Sequence, residues 1–281
     1  MKLGKAITAG FGRATRSFKP ILIIWFFSVI GISILALPLK SIVLSDIGNS
    51  MGTEMIKEVF SIDFWAGLDV TLPVFGGLIK GVLYLVFIYL FINVFLNGGL
   101  FDALKANICG YPVKGFFKAS VSNFFSFLSV TLLVILMIIF ASGLVVVIPA
   151  LIVRAGNGGE PALMNTLKIA RIVLLLVLPI FLLVVDYSRS WLAASNQKLI
   201  FKSLGYGFKA TFSSFLSSYL FMIIVMTVQA GFIFLVSKAM DFRPETNGGL
   251  FVLFLLSQVL FVIKLFLRAW RYGGVTTMFT I

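Results

Sequence analysis

Histidine is absent from all 281 residues, and Cys109 is the only cysteine. Without imidazole the chain lacks the commonest general base, the commonest metal ligand and the usual axial ligand to haem. One thiol builds neither a disulfide framework nor a thiolate metal site, so Cys109 reads as a small residue beside the membrane. No G-x-x-x-x-G-K-[ST] phosphate loop, G-x-S-x-G turn or H-E-x-x-H pair occurs. A serine nucleophile would then need a lysine base, and lysine acts as a base only where burial tunes it. The lysines beside serines here lie in basic, water-facing stretches. The expectation is a non-enzymatic protein with no cofactor, no catalytic residue and no metal site.

Charge is also scarce. Charged residues make up 12% of the chain and hydrophobic ones 60%, against roughly 25% and 45–50% in soluble proteins. The mean hydropathy is +1.11. A water-soluble core of this length cannot hide so much apolar surface, so this is an integral membrane protein. A spanning helix needs ~20 mostly apolar residues, and six segments qualify: 20–39, 73–96, 125–153, 167–185, 215–236 and 250–267. The predicted fold class is all-α, a polytopic transmembrane helix bundle forming a single domain over 1–281. A basic stretch with Lys2, Lys5, Arg13, Arg16 and Lys19 precedes the first run. That run is long and no small-x-small cleavage site follows, so it reads as a retained span.

The net charge of +13 comes from Lys and Arg flanking the spans. That pattern fits loops facing anionic headgroups, and no separate polar domain is present to bind nucleic acid. Fourteen Lys and Arg fall in the segments that include both termini and seven on the alternate side, counting Lys168 and Arg171 at the edge of the fourth span; Lys80 and Lys264 lie deeper within spans. The asymmetry predicts a bacterial inner-membrane protein with both termini in the cytoplasm. Eight of the ten acids fall on the outer side, Asp102 and Asp186 being the inner two. The outer segment 40–72 carries Met51, Met55, Phe60, Phe64 and Trp65 at roughly helical spacing. It predicts one or two short amphipathic helices on the outer surface, with a lid packed on the bundle as the plainer alternative.

Three stretches that lead into spans share a pattern. Lys118-Ala119-Ser120-Val121-Ser122-Asn123-Phe124 matches Lys209-Ala210-Thr211-Phe212-Ser213-Ser214-Phe215 in register, and Arg13-Ala14-Thr15-Arg16-Ser17-Phe18 matches with one residue fewer. The physical reading is an elbow: a basic amphipathic helix in the interface that turns into the bilayer. Arg13, Lys118 and Lys209 would reach the headgroups, phenylalanine would enter the acyl region, and serine or threonine would satisfy the turn. The returning spans end alike at Asn97-Gly98-Gly99-Leu100 and Tyr272-Gly273-Gly274-Val275, with Asp186-Tyr187-Ser188-Arg189 in the same place after the fourth. The pattern predicts a threefold two-helix repeat over 1–110, 111–200 and 201–281, with Gly98, Gly99, Gly273 and Gly274 packing the helix ends. Such repeats occur in transporters and in inert scaffolds alike.

Ionisable residues within spans are functional candidates. Lys264, Arg268 and Arg271 are spaced four and then three apart, which puts them on one face at the cytoplasmic end of the sixth span. Asp186 and Arg189 would close the same mouth. These five make a candidate site for an anion or a lipid headgroup; a structural ion pair in a lipid belt is the plainer alternative. Acids are missing from mid-membrane positions, which counts against a proton- or sodium-driven pump.

Ala36-Leu37-Pro38 ends the first span, and Gly48-Asn49-Ser50, Phe60-Ser61-Ile62-Asp63-Phe64-Trp65, Asn97-Gly98-Gly99-Leu100-Phe101-Asp102, the Phe-rich 116–127 and Asp186-Tyr187-Ser188-Arg189 follow. Together these stretches resemble an uncharacterised family of bacterial six-span inner-membrane proteins. The resemblance implies six spans and carries no activity or catalytic residue. The leading functional expectation is a scaffold or accessory subunit of a membrane assembly. Its partners would be membrane lipids, with a membrane-protein partner or a homo-oligomer. The alternative is a small transporter or channel for an anionic or lipid-like solute.

Overall fold

The computed structural model describes residues 2–47, 73–156, 159–195, 198–240 and 247–280. The outer amphipathic helices expected within 40–72 lie almost wholly outside the described residues. Every described element is helical, as the bilayer demands: a spanning backbone must satisfy its polar groups internally. The order is α1 (Lys2–Arg16), α2 (Phe18–Ile47), α3 (Pro73–Ala106), α4 (Val113–Ser142), a π turn at Gly143–Val147, α5 (Ile148–Ala155), α6 (Glu160–Ser195), α7 (Ile200–Ser213), α8 (Phe215–Met240) and α9 (Asn247–Thr280). Five helical runs are long and apolar enough to cross a membrane, or six if the bent α1–α2 pair is one span. All six expected spans fall on these helices, so the all-α transmembrane bundle stands. The returning helices α3, α6 and α9 continue well past their apolar runs. The π turn at Gly143–Val147 precedes Pro149, whose ring would clash with the carbonyl of Val145 in a regular α-turn.

The chain divides into two compact units, Trp25–Asn93 and the combination of Met1–Ile24 with Val94–Ile281. In the first, α2 and α3 approach where Gly31 faces the Ile92 Cδ1 atom, and Tyr84, Val86 and Phe87 are exposed as lipid-facing residues. The second unit holds everything that follows.

Its first helix is amphipathic. Ala6, Gly10, Ala14 and Ser17 are buried, with Leu3 and Ile7 partly so, while Lys5, Thr8 and Arg16 face outward. That is one helical stripe. The chain then bends by 66° between α1 and α2 at Ser17. A second bend separates α7 from α8 at Ser214, which has φ −129° and ψ 42°. Here Ser213 Oγ donates to the Ala210 carbonyl at 3.2 Å and Ser217 Oγ to the Ser214 carbonyl at 3.1 Å. Hydroxyls thus take up carbonyls at the break, as expected of an elbow.

The elbow expected at Lys118 is corrected: α4 runs unbroken from Val113 to Ser142. Ser120 points into a helix interface instead of a turn. The chain reverses earlier, between α3 and α4, where Asn107 and Gly110 adopt left-handed φ values of 53° and 73°.

The returning helices pack on α4, α7 and α1 through small residues. A Cβ on Gly99 of α3 would lie 2.6 Å from Ser120 Oγ of α4. One on Gly207 of α7 would lie 2.6 Å from the Val184 carbonyl of α6. One on Gly10 of α1 would lie 2.6 Å from the Gly274 nitrogen of α9. Backbones this close require glycine on at least one side, the usual means of tight helix packing in membranes. Each returning helix therefore rests on the helix that opens the next hairpin, and the last closes onto the first. Gly10 and Gly207 each precede their bend serine, Ser17 or Ser214, by the same seven residues.

Candidate functional site

The three returning helices bring their polar residues together at the elbow end of the bundle. Arg268, Arg271 and Tyr272 share one face of α9. Asp186 and Arg189 stand one turn apart on α6, Asn97 comes from α3, and Thr131 and Phe127 come from α4. Asp186 is 1% exposed and Arg189 6%. Arg271 Nε lies 3.0 Å from Asp186 Oδ2, a charge contact without hydrogen-bond alignment. Arg268 donates from Nη2 to Asn97 Oδ1 at 2.7 Å and from Nε to the Tyr272 hydroxyl at 2.9 Å. Arg189 Nη2 donates to Thr131 Oγ1 at 2.7 Å.

Aromatic rings line the cluster. Arg271 and Arg268 lie 4.8 Å and 5.4 Å from the Tyr272 ring centroid, and Arg189 lies 5.8 Å from that of Phe127. Phe101 packs on Tyr272 with centroids 4.6 Å apart. Cation–π contact and hydrogen bonding together orient the guanidinium planes. The charges of Arg271, Arg189 and Arg268 all act on Asp186. Among the described residues these three guanidinium groups lie around the Asp186 carboxylate. Arg189 Nε is buried and meets no hydrogen-bond acceptor among the described residues. Burying ionised groups costs several kcal/mol each unless partners satisfy them, so a buried guanidinium nitrogen without an acceptor is a costly feature of this cluster.

Four of the five expected site residues thus come together: Asp186, Arg189, Arg268 and Arg271. Lys264 stands one turn before Arg268 on α9 and is exposed. Arg13 sits on α1 and donates from Nη1 to the Leu104 carbonyl at 3.0 Å, while Lys118 and Lys209 are exposed. Gly98 and Gly99 pack on α4, and Gly273 and Gly274 pack on α1 and against the Phe221 ring of α8.

Asn97, Thr131 and the Tyr272 side chain were not foreseen as site residues. Asn97 and Tyr272 each stand immediately before a Gly-Gly pair, and that placement is the signal that could have found them. Thr131 gives no such sign, being one hydroxyl within an apolar run.

Side chains also donate to backbone carbonyls of neighbouring helices. Lys105 Nζ of α3 donates to the Ala193 carbonyl of α6 at 3.0 Å, and Trp270 Nε1 of α9 to the Ile7 carbonyl of α1 at 3.0 Å. A hydrophobic core joins Ala6, Leu183, Tyr187, Phe221, Met222, Val225 and Val275. The Tyr187 hydroxyl is 2.8 Å from Ser218 Oγ and 3.3 Å from Met278 Sδ within it. In the turn between α3 and α4, Tyr111 donates to Asp102. Burial and then the neighbouring carboxylate push the Tyr111 phenol well above its ordinary range. Among the described residues no group of His, Cys, Asp and Glu is placed to hold a metal ion. No protein-family model, curated protein or solved structure matches the chain.

Proposed function

We propose that the chain is a non-enzymatic protein of the bacterial inner membrane that acts as a scaffold or accessory subunit of a membrane assembly. Its elbow end is the cytoplasmic face and both termini lie there. The excess of Lys and Arg in the segments at that end supports the orientation, and the family resemblance supports the bacterial inner membrane. The observation that carries the scaffold reading is the closed ring of small-residue packing: α9 on α1, α3 on α4 and α6 on α7. Such packing makes a rigid platform, while the far halves of the spans present apolar faces to lipid or to partner helices.

Native mass spectrometry after gentle extraction tests this reading. A stoichiometric partner chain or a fixed homo-oligomer is expected. A monomer in every extraction condition that preserves a control membrane complex would sink the scaffold reading.

A second reading, a small transporter or channel for an anionic or lipid-like solute, is favoured by the three arginines gathered around Asp186. It predicts that Arg268→Gln abolishes anion flux in proteoliposomes while the protein still folds. Persistent flux in that variant removes the site from the transport reading.

A further inference from the structure

The geometry points to a lipid site on the seam between α4 and α6, where an acyl chain of an anionic lipid lies with its phosphate at Arg171. The lipid belongs to the leaflet far from the elbow end. This goes beyond the scaffold reading and concerns the opposite part of the spans.

Two cavities open along the seam. The walls of one, of about 300 Å³, include Val146 of the π turn and Leu167, Arg171, Leu174 and Leu178 of α6. Those of the other, of about 470 Å³, include Phe140 of α4, Leu144 of the π turn and Phe181 of α6. Leu167, Arg171, Leu174, Leu178 and Phe181 follow one another at intervals of three or four, so both cavities open on one stripe of α6. Each cavity also takes a residue from the π turn, which interrupts the regular rows of side chains that would otherwise fill the seam. Phe140 and Leu175 are exposed, so the groove is open sideways to the bilayer.

Depth identifies the occupant. Arg171 and Arg189 are about 27 Å apart along α6 at 1.5 Å per residue, and no charged residue stands between Arg171 and Asp186. A hydrocarbon core is ~30 Å thick. With Arg189 in the elbow-end cluster, Arg171 therefore stands near the opposite hydrocarbon boundary. From Arg171 to Phe181 is about 15 Å on the same scale, the depth of one leaflet. The groove thus starts beside a cation at headgroup level and ends near mid-membrane in a cavity walled by apolar side chains alone. An acyl chain has that length and that polarity. A partner helix would cross both leaflets.

The headgroup follows from charge. Arg171 lines the outer cavity, and Lys168, one turn further out, is exposed as Arg171 is. A guanidinium fork matches phosphate oxygens. Two cations at one headgroup favour a lipid of net negative charge over a zwitterionic one, whose ammonium would be brought beside them.

The test uses the full chain in nanodiscs of phosphatidylglycerol and phosphatidylcholine, one of the two carrying a diazirine at mid-chain. After illumination, peptide mass spectrometry locates the label. Labelled phosphatidylglycerol is expected to mark residues 136–144 and 174–181 several times more than the exposed Val228 and Ile233 of α8. Labelled phosphatidylcholine should mark that groove about fivefold less. Arg171 is exposed, so Arg171→Gln leaves the fold and should lower groove labelling by phosphatidylglycerol about fivefold. Lys118→Gln, which removes an exposed cation at the elbow end, should change it less than about twofold. Ala141→Phe fills the inner cavity and should lower labelling there by both lipids.

Label spread evenly over the exposed faces would overturn the proposal. So would equal groove labelling by the two lipids, or labelling by phosphatidylglycerol that Arg171→Gln leaves unchanged. An unlabelled groove would mean that protein fills it, and would overturn the lipid assignment too.

Discussion

Two ends of the same helices contrast sharply. In α6, Ile169, Ile172, Leu175 and Leu176 are exposed, whereas Leu183 through Ser190 are buried without interruption. In α9, Phe251, Val252 and Phe254 are exposed, whereas Tyr272 through Thr277 are all buried. The exposed ends are the more hydrophobic; the buried ones carry Asp186, Ser188, Arg189, Gly273, Gly274 and Thr276. In water this would be inverted. In lipid, an apolar side chain gains little by leaving the acyl chains for another helix, so packing relies on close backbones and hydrogen bonds. Apolarity therefore shows where the membrane is, and small or polar residues show where the protein holds itself together.

The largest test of that contrast removes the Asp186 carboxylate from the cluster. Asp186→Asn leaves Arg271 without its counter-charge in a buried place, and breaking such a pair costs about 3–5 kcal/mol. The expected result is a large fall in the thermal midpoint of the delipidated protein. An unchanged midpoint without any anion would show that the cluster is hydrated and that its electrostatics have been overstated.

Glycine substitutions sharpen the comparison next. A Cβ on Gly274 would lie 2.7 Å from Phe221 Cε2, while Gly231, in the far part of α8, has nothing within 4 Å. Gly274→Leu should destabilise by about 1–3 kcal/mol or more through overpacking. Gly231→Leu should be neutral or slightly stabilising, since leucine is the better helix former. Equal effects at both sites would mean that the far end packs as tightly as the elbow end. A smaller loss, about 1 kcal/mol, is expected for Tyr187→Phe, which deletes the hydroxyl shared with Ser218 and Met278.

The contrast also explains what the sequence disclosed. The spans were legible because ~20 apolar residues in a row have one economical use. Four members of the cluster were legible because charge inside a span is expensive and therefore conspicuous. Helical spacing puts Lys264 on the face of Arg268, but spacing gives an angle around α9 and not which neighbours stand there. The Lys118 elbow failed for a related reason: its Ser and Phe match those of true bends, but Ser120 is held by Gly98 and Gly99 from another helix. Thr131 was invisible, since only the tertiary arrangement brings it to Arg189.

The smallest expected effect concerns the rim of the elbow end, where Tyr111 donates to Asp102 across the turn. Burial raises the Tyr111 phenol, and the carboxylate raises it further, because both disfavour the phenolate. An unfolded tyrosine ionises near pH 10. A group whose ionisation is pushed upward by folding contributes stability below its unfolded value and loses it as pH climbs through the folded one. The contribution is therefore complete below about pH 10 and declines only above it. Spectrophotometric titration should show a late-ionising tyrosine that Tyr111→Phe removes. The variant should also show a shallower loss of thermal stability above pH 10 than the parent. A Tyr111 that ionises with the exposed tyrosines would mean that water enters the turn, and would place the boundary of the tightly packed end inside it.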